Sequence, residues 1–390
     1  MRKLSVALFI MALTMCTSVH TAELKEPFSF GINYAWKNYS GDFGGIGPWA
    51  KQGVASNPDV FEEELNDMAA HGVQVVRWWV WPEFWTDAIT FDENGSPNPL
   101  AQDAIDDALK ALELVDAAGM RVMFCIFSFD GFRETRERFG ITMTGYHDIV
   151  VDDDKRAALM TNVVRPLISA LADSPHASAL HSWDVINEPE WAMTGANKYG
   201  GDKFEPNHDL QPVTHDQMEV FVGDTIKIMR EETPDVPVTV GNAAVKWLDA
   251  WQETDLDFYQ PHIYDWVNNY WPYTSSPTQL GYGDKPMIMG EYPAEGLQVA
   301  TQPTMLNSWF NNGYAGSLAW DYRITHVPTA TEEEKDKYRR QYLTELREFA
   351  AANNIGSLDD AVPFNPGAPA AAKQLPLSRP DSPSIQELDN

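Results

Sequence analysis

Eight short apolar runs recur along the chain, at 28–34, 73–80, 121–127, 181–187, 236–242, 257–262, 286–291 and 315–321. Most are apolar throughout rather than alternating, which marks strands covered on both faces. Amphipathic segments lie between them. In 103–118, Ile105, Ala108, Leu109, Leu112 and Val115 share one helical face, and 155–172 repeats the pattern with Leu159, Val163, Leu167 and Leu171. Segments 61–71, 217–232, 303–312 and Glu332–Asn353 read as further helices. The connection after His262 is rich in Tyr, Trp, Pro and Gly, so it predicts a loop with at most a brief helix. Strand and helix in repeated alternation predict an α/β fold, a (β/α)8 TIM barrel, over residues 23–358.

Composition narrows what such a barrel can do. The chain is 44% hydrophobic and 12% aromatic, enough to bury a large core and too much for a disordered chain. Against 28 Lys and Arg stand 57 Asp and Glu, a formal charge of -29. Such a surface repels phosphate backbones, which excludes nucleic acid as a partner and disfavours acidic polysaccharides. Fourteen Trp ask for a packing or stacking role.

The two ends differ from the middle. Residues 1–22 carry Arg2 and Lys3, then an apolar stretch, then Thr21 and Ala22, the pattern of a cleaved export signal. The apolar stretch is too short to span a bilayer, and no later segment does better, so no membrane span is expected. Leu13-Thr14-Met15-Cys16 is a poor lipoprotein box because of the Met, so plain secretion or periplasmic release is preferred to anchoring through Cys16. Cys125 is then alone in an apolar run, where a buried small side chain is the simplest reading. Residues 359–390 carry six Pro among small and polar residues and read as a disordered tail.

In such barrels the chemistry sits where the strands end. The second run holds Arg77 followed by Trp78, Trp79 and Trp81, and the third leads into Ser128-Phe129-Asp130. The fourth ends in Asn187-Glu188-Pro189, the sixth in His262-Ile263-Tyr264, the seventh in Gly290-Glu291, the eighth in Trp320-Asp321. Glu188 and Glu291 thus face each other across the barrel mouth. Two carboxylates so placed suit glycoside hydrolysis, one giving a proton to the leaving oxygen and the other attacking the anomeric carbon. Asp130 could bond a sugar or cap its loop. Trp81, Trp191, Trp266 and Trp271 are candidates to line a cleft. Asp152-Asp153-Asp154 and Glu332-Glu333-Glu334 read as helix N-terminal charge. No metal or organic cofactor is expected.

The combination of Trp183-Asp184-Val185-Ile186-Asn187-Glu188-Pro189, His262-Ile263-Tyr264, Gly290-Glu291 and Trp320 resembles the clan A glycoside hydrolases, nearest to family 5 of the cellulase and β-mannanase type. Where many members place a His after strand three, this chain has Ser128-Phe129-Asp130. The resemblance makes Glu188 the acid/base and Glu291 the nucleophile. It assigns Asn187 to the substrate 2-hydroxyl, Arg77 and Tyr264 to the nucleophile, His262 to sugar binding, and Trp320 to the floor of the cleaved subsite. It implies a retaining β-glycoside hydrolase, acting on a polysaccharide or oligosaccharide, with endo action on β-1,4-mannan ranked first. An endo-β-glucanase, an exo-acting β-glycosidase, a transglycosylase and a catalytically inactive carbohydrate-binding barrel stay open as alternatives. A monomer is expected.

Overall fold

The computed structural model describes residues 22–356 except 139, 269–273 and 328. Eight parallel strands carry the fold: β1 Ser29–Asn33, β2 Val75–Trp79, β3 Arg121–Ser128, β4 Leu180–Asn187, β5 Val238–Asn242, β6 Gln260–Pro261, β7 Ile288–Pro293 and β8 Gly316–Trp320. Their order is β6-β5-β4-β3-β2-β1-β8-β7. Bridges Tyr259–Met287 and His262–Glu291 join β6 to β7 and close the barrel. All eight strands fall inside or against the apolar runs. The sixth is the shortest, because Pro261 has no N–H to give to a ladder.

The helices form the outer layer: α1 Pro58–Ala70, α2 Gln102–Ala117, α3 (Asp153–Leu159 and Arg165–Ala172, joined by a π turn), α4 His215–Glu232, α5 Gln302–Asn311 and α6 Glu332–Asn353. Each turns its apolar stripe inward. On α1, Phe61, Leu65 and Met68 are buried, and the Phe61 ring stacks on Trp78 of β2 at 5.7 Å. Burying a side chain of that size contributes roughly 1.5–3 kcal/mol. Asp152 accepts the N–H groups of Asp154 and Lys155, and Thr331 with Glu334 forms a capping box, so both acidic triplets serve helix starts. Between β6 and β7 the described residues form two short helices, Asp265–Asn268 and Pro277–Leu280. Among the described residues no helix is long and apolar enough to cross a membrane.

Inside the barrel the side chains lie in layers. Val75, Met123, Phe258, Ile288 and Leu318 form an apolar cluster. Asn33, Arg77, Asp184 and Gln260 form a buried polar layer, linked by hydrogen bonds. At the strand ends Trp79, Cys125, Tyr264 and Trp320 gather around the two glutamates' end of the barrel. The proposed export signal up to residue 21, and the Pro-rich tail, lie outside the described residues.

Candidate active site

The polar layer is built around Arg77, which is fully buried. A buried guanidinium needs an anion and full hydrogen bonding. Asp184 supplies the first: its Oδ2 accepts Arg77 Nε at 2.9 Å and lies 2.8 Å from Nη2. Asp184 is itself held by the Gly241 N–H at 3.0 Å and the Gln260 amide at 2.7 Å. Arg77 also donates to Asn33 at 2.9 Å, to Asn187 at 2.8 Å and to Glu291 Oε1 at 2.6 Å. So the guanidinium fixes three strand ends at once. There is no space for a side chain at Gly241, where a Cβ would sit 2.8 Å from Arg77 Nη2 and 3.1 Å from Asp184 Oδ2.

Glu291 lies on β7 and is nearly fully buried. Its second oxygen accepts the Tyr264 hydroxyl at 2.9 Å. Burial pushes the Tyr264 phenol well above 10, so it stays a neutral donor. Burial also raises Glu291 to about 7, against the opposing pull of Arg77 and the Tyr264 hydroxyl.

Glu188 sits one residue past β4, in a left-handed conformation with φ 48°. Its N–H bonds the Gly241 carbonyl at 2.6 Å. Its Oε1 lies 2.7 Å from His262 Nδ1, and its Oε2 accepts the Trp191 indole N–H at 2.9 Å. Burial and then the charge of Glu291 raise Glu188 well above the carboxylate range. Arg77 bonds Glu291 rather than Glu188, so Glu188 holds its proton at a pH where Glu291 has lost its own. His262 is pushed well below its ordinary value by burial and by Arg77, which leaves the imidazole neutral.

The structure therefore brings Arg77, Asn187, Glu188, His262, Tyr264 and Glu291 together, as the strand-end reading expects. Trp320 joins them, 5.4 Å from Trp79. Trp266 stacks on Tyr264 at 5.7 Å, and Trp191 reaches Glu188. Trp271 lies outside the described residues. Trp81 is a correction: its ring is fully buried in the main core and its N–H bonds the Phe43 carbonyl, so Trp79 is the strand-two indole at the mouth. Asp130 bonds the Ser128 hydroxyl at 2.9 Å and pairs with Arg133 at 3.0 Å, which is the loop-holding role of its two readings. In the connection between β4 and α4, the Tyr199 hydroxyl donates to Glu219 and the Phe204 ring packs on His215, both of α4. Cys125 is a buried free thiol, pushed up by burial.

Sequence reasoning missed Asn33, Asp184, Gln260 and Trp36. Asp184 had a visible signal, a lone acid inside an apolar strand, which must find a cation. Trp36 follows β1 and packs on Trp79 at 5.3 Å and Trp320 at 6.2 Å. Glu188, His262 and Glu291 each place one donor atom within 4.8 Å of the others. With Arg77 seated on Glu291, that trio already has its cation. A separate cavity of about 500 Å³, lined by Glu219, Ile226, Arg230 and Thr254 among others, holds none of these groups.

No family model matches the chain. Two curated relatives are mannan endo-1,4-beta-mannosidases. That of Mytilus edulis is 26% identical over 75% of this chain and 83% of its own length. That of Cryptopygus antarcticus is 24% identical over 76% of this chain and 81% of its own. Among solved structures, the beta-mannanase from the blue mussel Mytilus edulis superposes with a TM-score of 0.66 at 22% identity, over 85% of this chain and 94% of that one. These likenesses bear out the (β/α)8 barrel, the resemblance to clan A, family 5-like glycoside hydrolases, and the reading of the chain as a glycoside hydrolase.

Proposed function

We propose that this protein is an exported, retaining endo-β-1,4-mannanase. The observation that carries the mechanism is the closeness of the two glutamates, one oxygen of each lying within 4.8 Å of an oxygen of the other, which favours the shorter of two known separations. Retaining enzymes hold their carboxyl groups about 5–5.5 Å apart, whereas inverting ones need about 6.5–9.5 Å to admit a water. In the first step Glu291 attacks the anomeric carbon while Glu188 gives its proton to the departing glycosidic oxygen. The C–O bond breaks and a glycosyl ester forms on Glu291. In the second step Glu188, now a carboxylate, takes a proton from water, the water oxygen bonds the anomeric carbon, and Glu291 leaves. Tyr264 and Arg77 steady the nucleophile's charge through both steps. Mannan as substrate, and cleavage within the chain, rest on the two named relatives. Export rests on the pattern of residues 1–22.

The test is reducing-sugar release from a panel of neutral β-glycans by wild type, Glu188→Gln and Glu291→Gln. Release from mannan, absent in both variants and with retention by proton NMR of the first products, is expected. A mixture of short and long products fits endo action, and one short product from the start would overturn it. Activity on glucan alone would overturn mannan, and inverted products would overturn the double displacement.

A further inference from the structure

The acid/base has a partner that its catalytic role does not by itself call for. The left-handed turn at Glu188 leads into a short helical turn, Pro189–Ala192, which folds Trp191 back over the carboxyl group. The Trp191 indole N–H then meets Glu188 Oε2 at 2.9 Å, while His262 Nδ1 meets Oε1 at 2.7 Å. The ring is fixed from two sides, by Trp247 at 5.0 Å and Trp266 at 5.6 Å. Trp266 in turn stacks on Tyr264, whose hydroxyl holds Glu291. A strip of three aromatic rings thus runs from one catalytic glutamate to the other.

We infer that Trp191 is a positioning residue for the acid/base: its N–H orients the Glu188 carboxyl group and favours the carboxylate that remains once the proton has left. This deepens the glycosidase reading and rests on it. An indole N–H can only donate, so it bonds a carboxylate better than a neutral acid. The other charged and titratable groups around Glu188 are Arg77 from β2, Glu190 from its own turn, His262 and Tyr264 from the end of β6, and Glu291 from β7. Of these, the two glutamates disfavour the Glu188 charge, the neutral His262 adds none, and Arg77 acts from beyond Glu291. Trp191 is therefore an obligate N–H donor to Glu188 whichever tautomer His262 takes, and it helps offset the repulsion in the second step, when Glu188 works as a base.

Trp191→Phe keeps an aromatic ring at the position and loses the N–H. The expected result is a basic limb of kcat/KM moved up by about one pH unit, the scale of one charge-assisted hydrogen bond. KM is expected to change less than kcat. A fall in kcat with the limb unmoved would reduce Trp191 to packing and overturn the inference. A second measurement needs no substrate. In wild type the Trp191 indole ¹⁵N–H resonance is expected to shift as Glu188 titrates, and in Glu188→Gln to stay still. A resonance insensitive to pH in wild type, or shifting alike in both, would overturn the inference even if the enzyme is active. Wild type inactive on every glycan, with the resonance shifting as described, would count against the glycosidase reading and leave the Trp191–Glu188 link standing.

Discussion

Glu291→Gln tests the electrostatics of the site through stability. The amide is the isostere of the protonated acid. Its oxygen can accept the Arg77 N–H that Glu291 Oε1 accepts at 2.6 Å, and its NH2 can donate to the Tyr264 oxygen now 2.9 Å from Oε2. Arg77 keeps Asp184 as an anion, so no charge is orphaned. What the substitution removes is the cost of ionising a buried carboxyl group. Glu291 stands at about 7 in the folded chain against an ordinary 4.5. Between those values the unfolded chain binds fewer protons than the folded one, so stability falls as pH rises. Below 4.5 the cost is absent, and above about 7 it is complete. At about 1.36 kcal/mol per unit, the full cost is about 3 kcal/mol, and at pH 5 it is only about 1 kcal/mol. Glu291→Gln should therefore be the more stable protein at pH 8, by roughly 4–6 °C in Tm, and the gap should shrink toward pH 5. Thermal unfolding of both proteins at the two pH values checks this. A gap of equal size at both, or a variant less stable at pH 8, would refute the account of a strained, charge-burdened site.

Three further perturbations probe neighbouring parts. Tyr264→Phe removes the hydroxyl that donates to Glu291 Oε2 at 2.9 Å, so Glu291, as the proposed nucleophile, should ionise later and the acid limb of kcat/KM should move to higher pH. A limb that stays in place would exclude the hydroxyl from controlling Glu291. Gly241→Ala drives a methyl to within 2.8 Å of Arg77 and 3.0 Å of the Gln260 amide, and should cost about 1–3 kcal/mol in urea unfolding as well as most of the activity. Near-normal stability would mean the polar layer has slack. His326 lies between Glu295 and Asp321, which outweigh its burial and raise it to about 10. Its stabilising charge is fully present below 6.5 and is lost as pH rises through about 10, so wild-type Tm should fall over that range and the fall should be smaller in His326→Gln.

The barrel is legible because its strands are apolar on both faces and its helices on one, and both patterns survive burial unchanged. The glutamate pair proposed to be catalytic is legible for a related reason: each glutamate breaks an apolar run at its end, where a parallel barrel exposes its strands. What sequence periodicity carried less well lies just past those ends. Trp79 and Trp81 are two residues apart and would share a face in an extended strand. The strand stops at Trp79, the alternation lapses, and Trp81 turns into the core. Trp191 lies past a strand end too. Periodicity marks it only as a candidate to line the cleft, and the tight turn after Glu188 places it at the site, with its N–H on the carboxyl group. Asp184 shows the converse, since a buried acid announces that it has a partner without saying which.

The same layers explain why the site tolerates its own repulsion. Asp184 and Glu291 flank one guanidinium, Glu188 has none among the described residues, and His262 is neutral. With both glutamates ionised the cluster carries excess negative charge, and burial denies it water. That is unfavourable for folding, as the raised values of both glutamates record. In the proposed reaction it is favourable for a sugar ring that develops positive charge at its anomeric carbon between them. The cost of the charges and their use in the reaction are then one quantity seen in two states, which is why a single amide at Glu291 should stabilise the fold and silence the enzyme together. A variant that gained stability while keeping its activity would break that link, and with it the claim that Glu291 is the nucleophile.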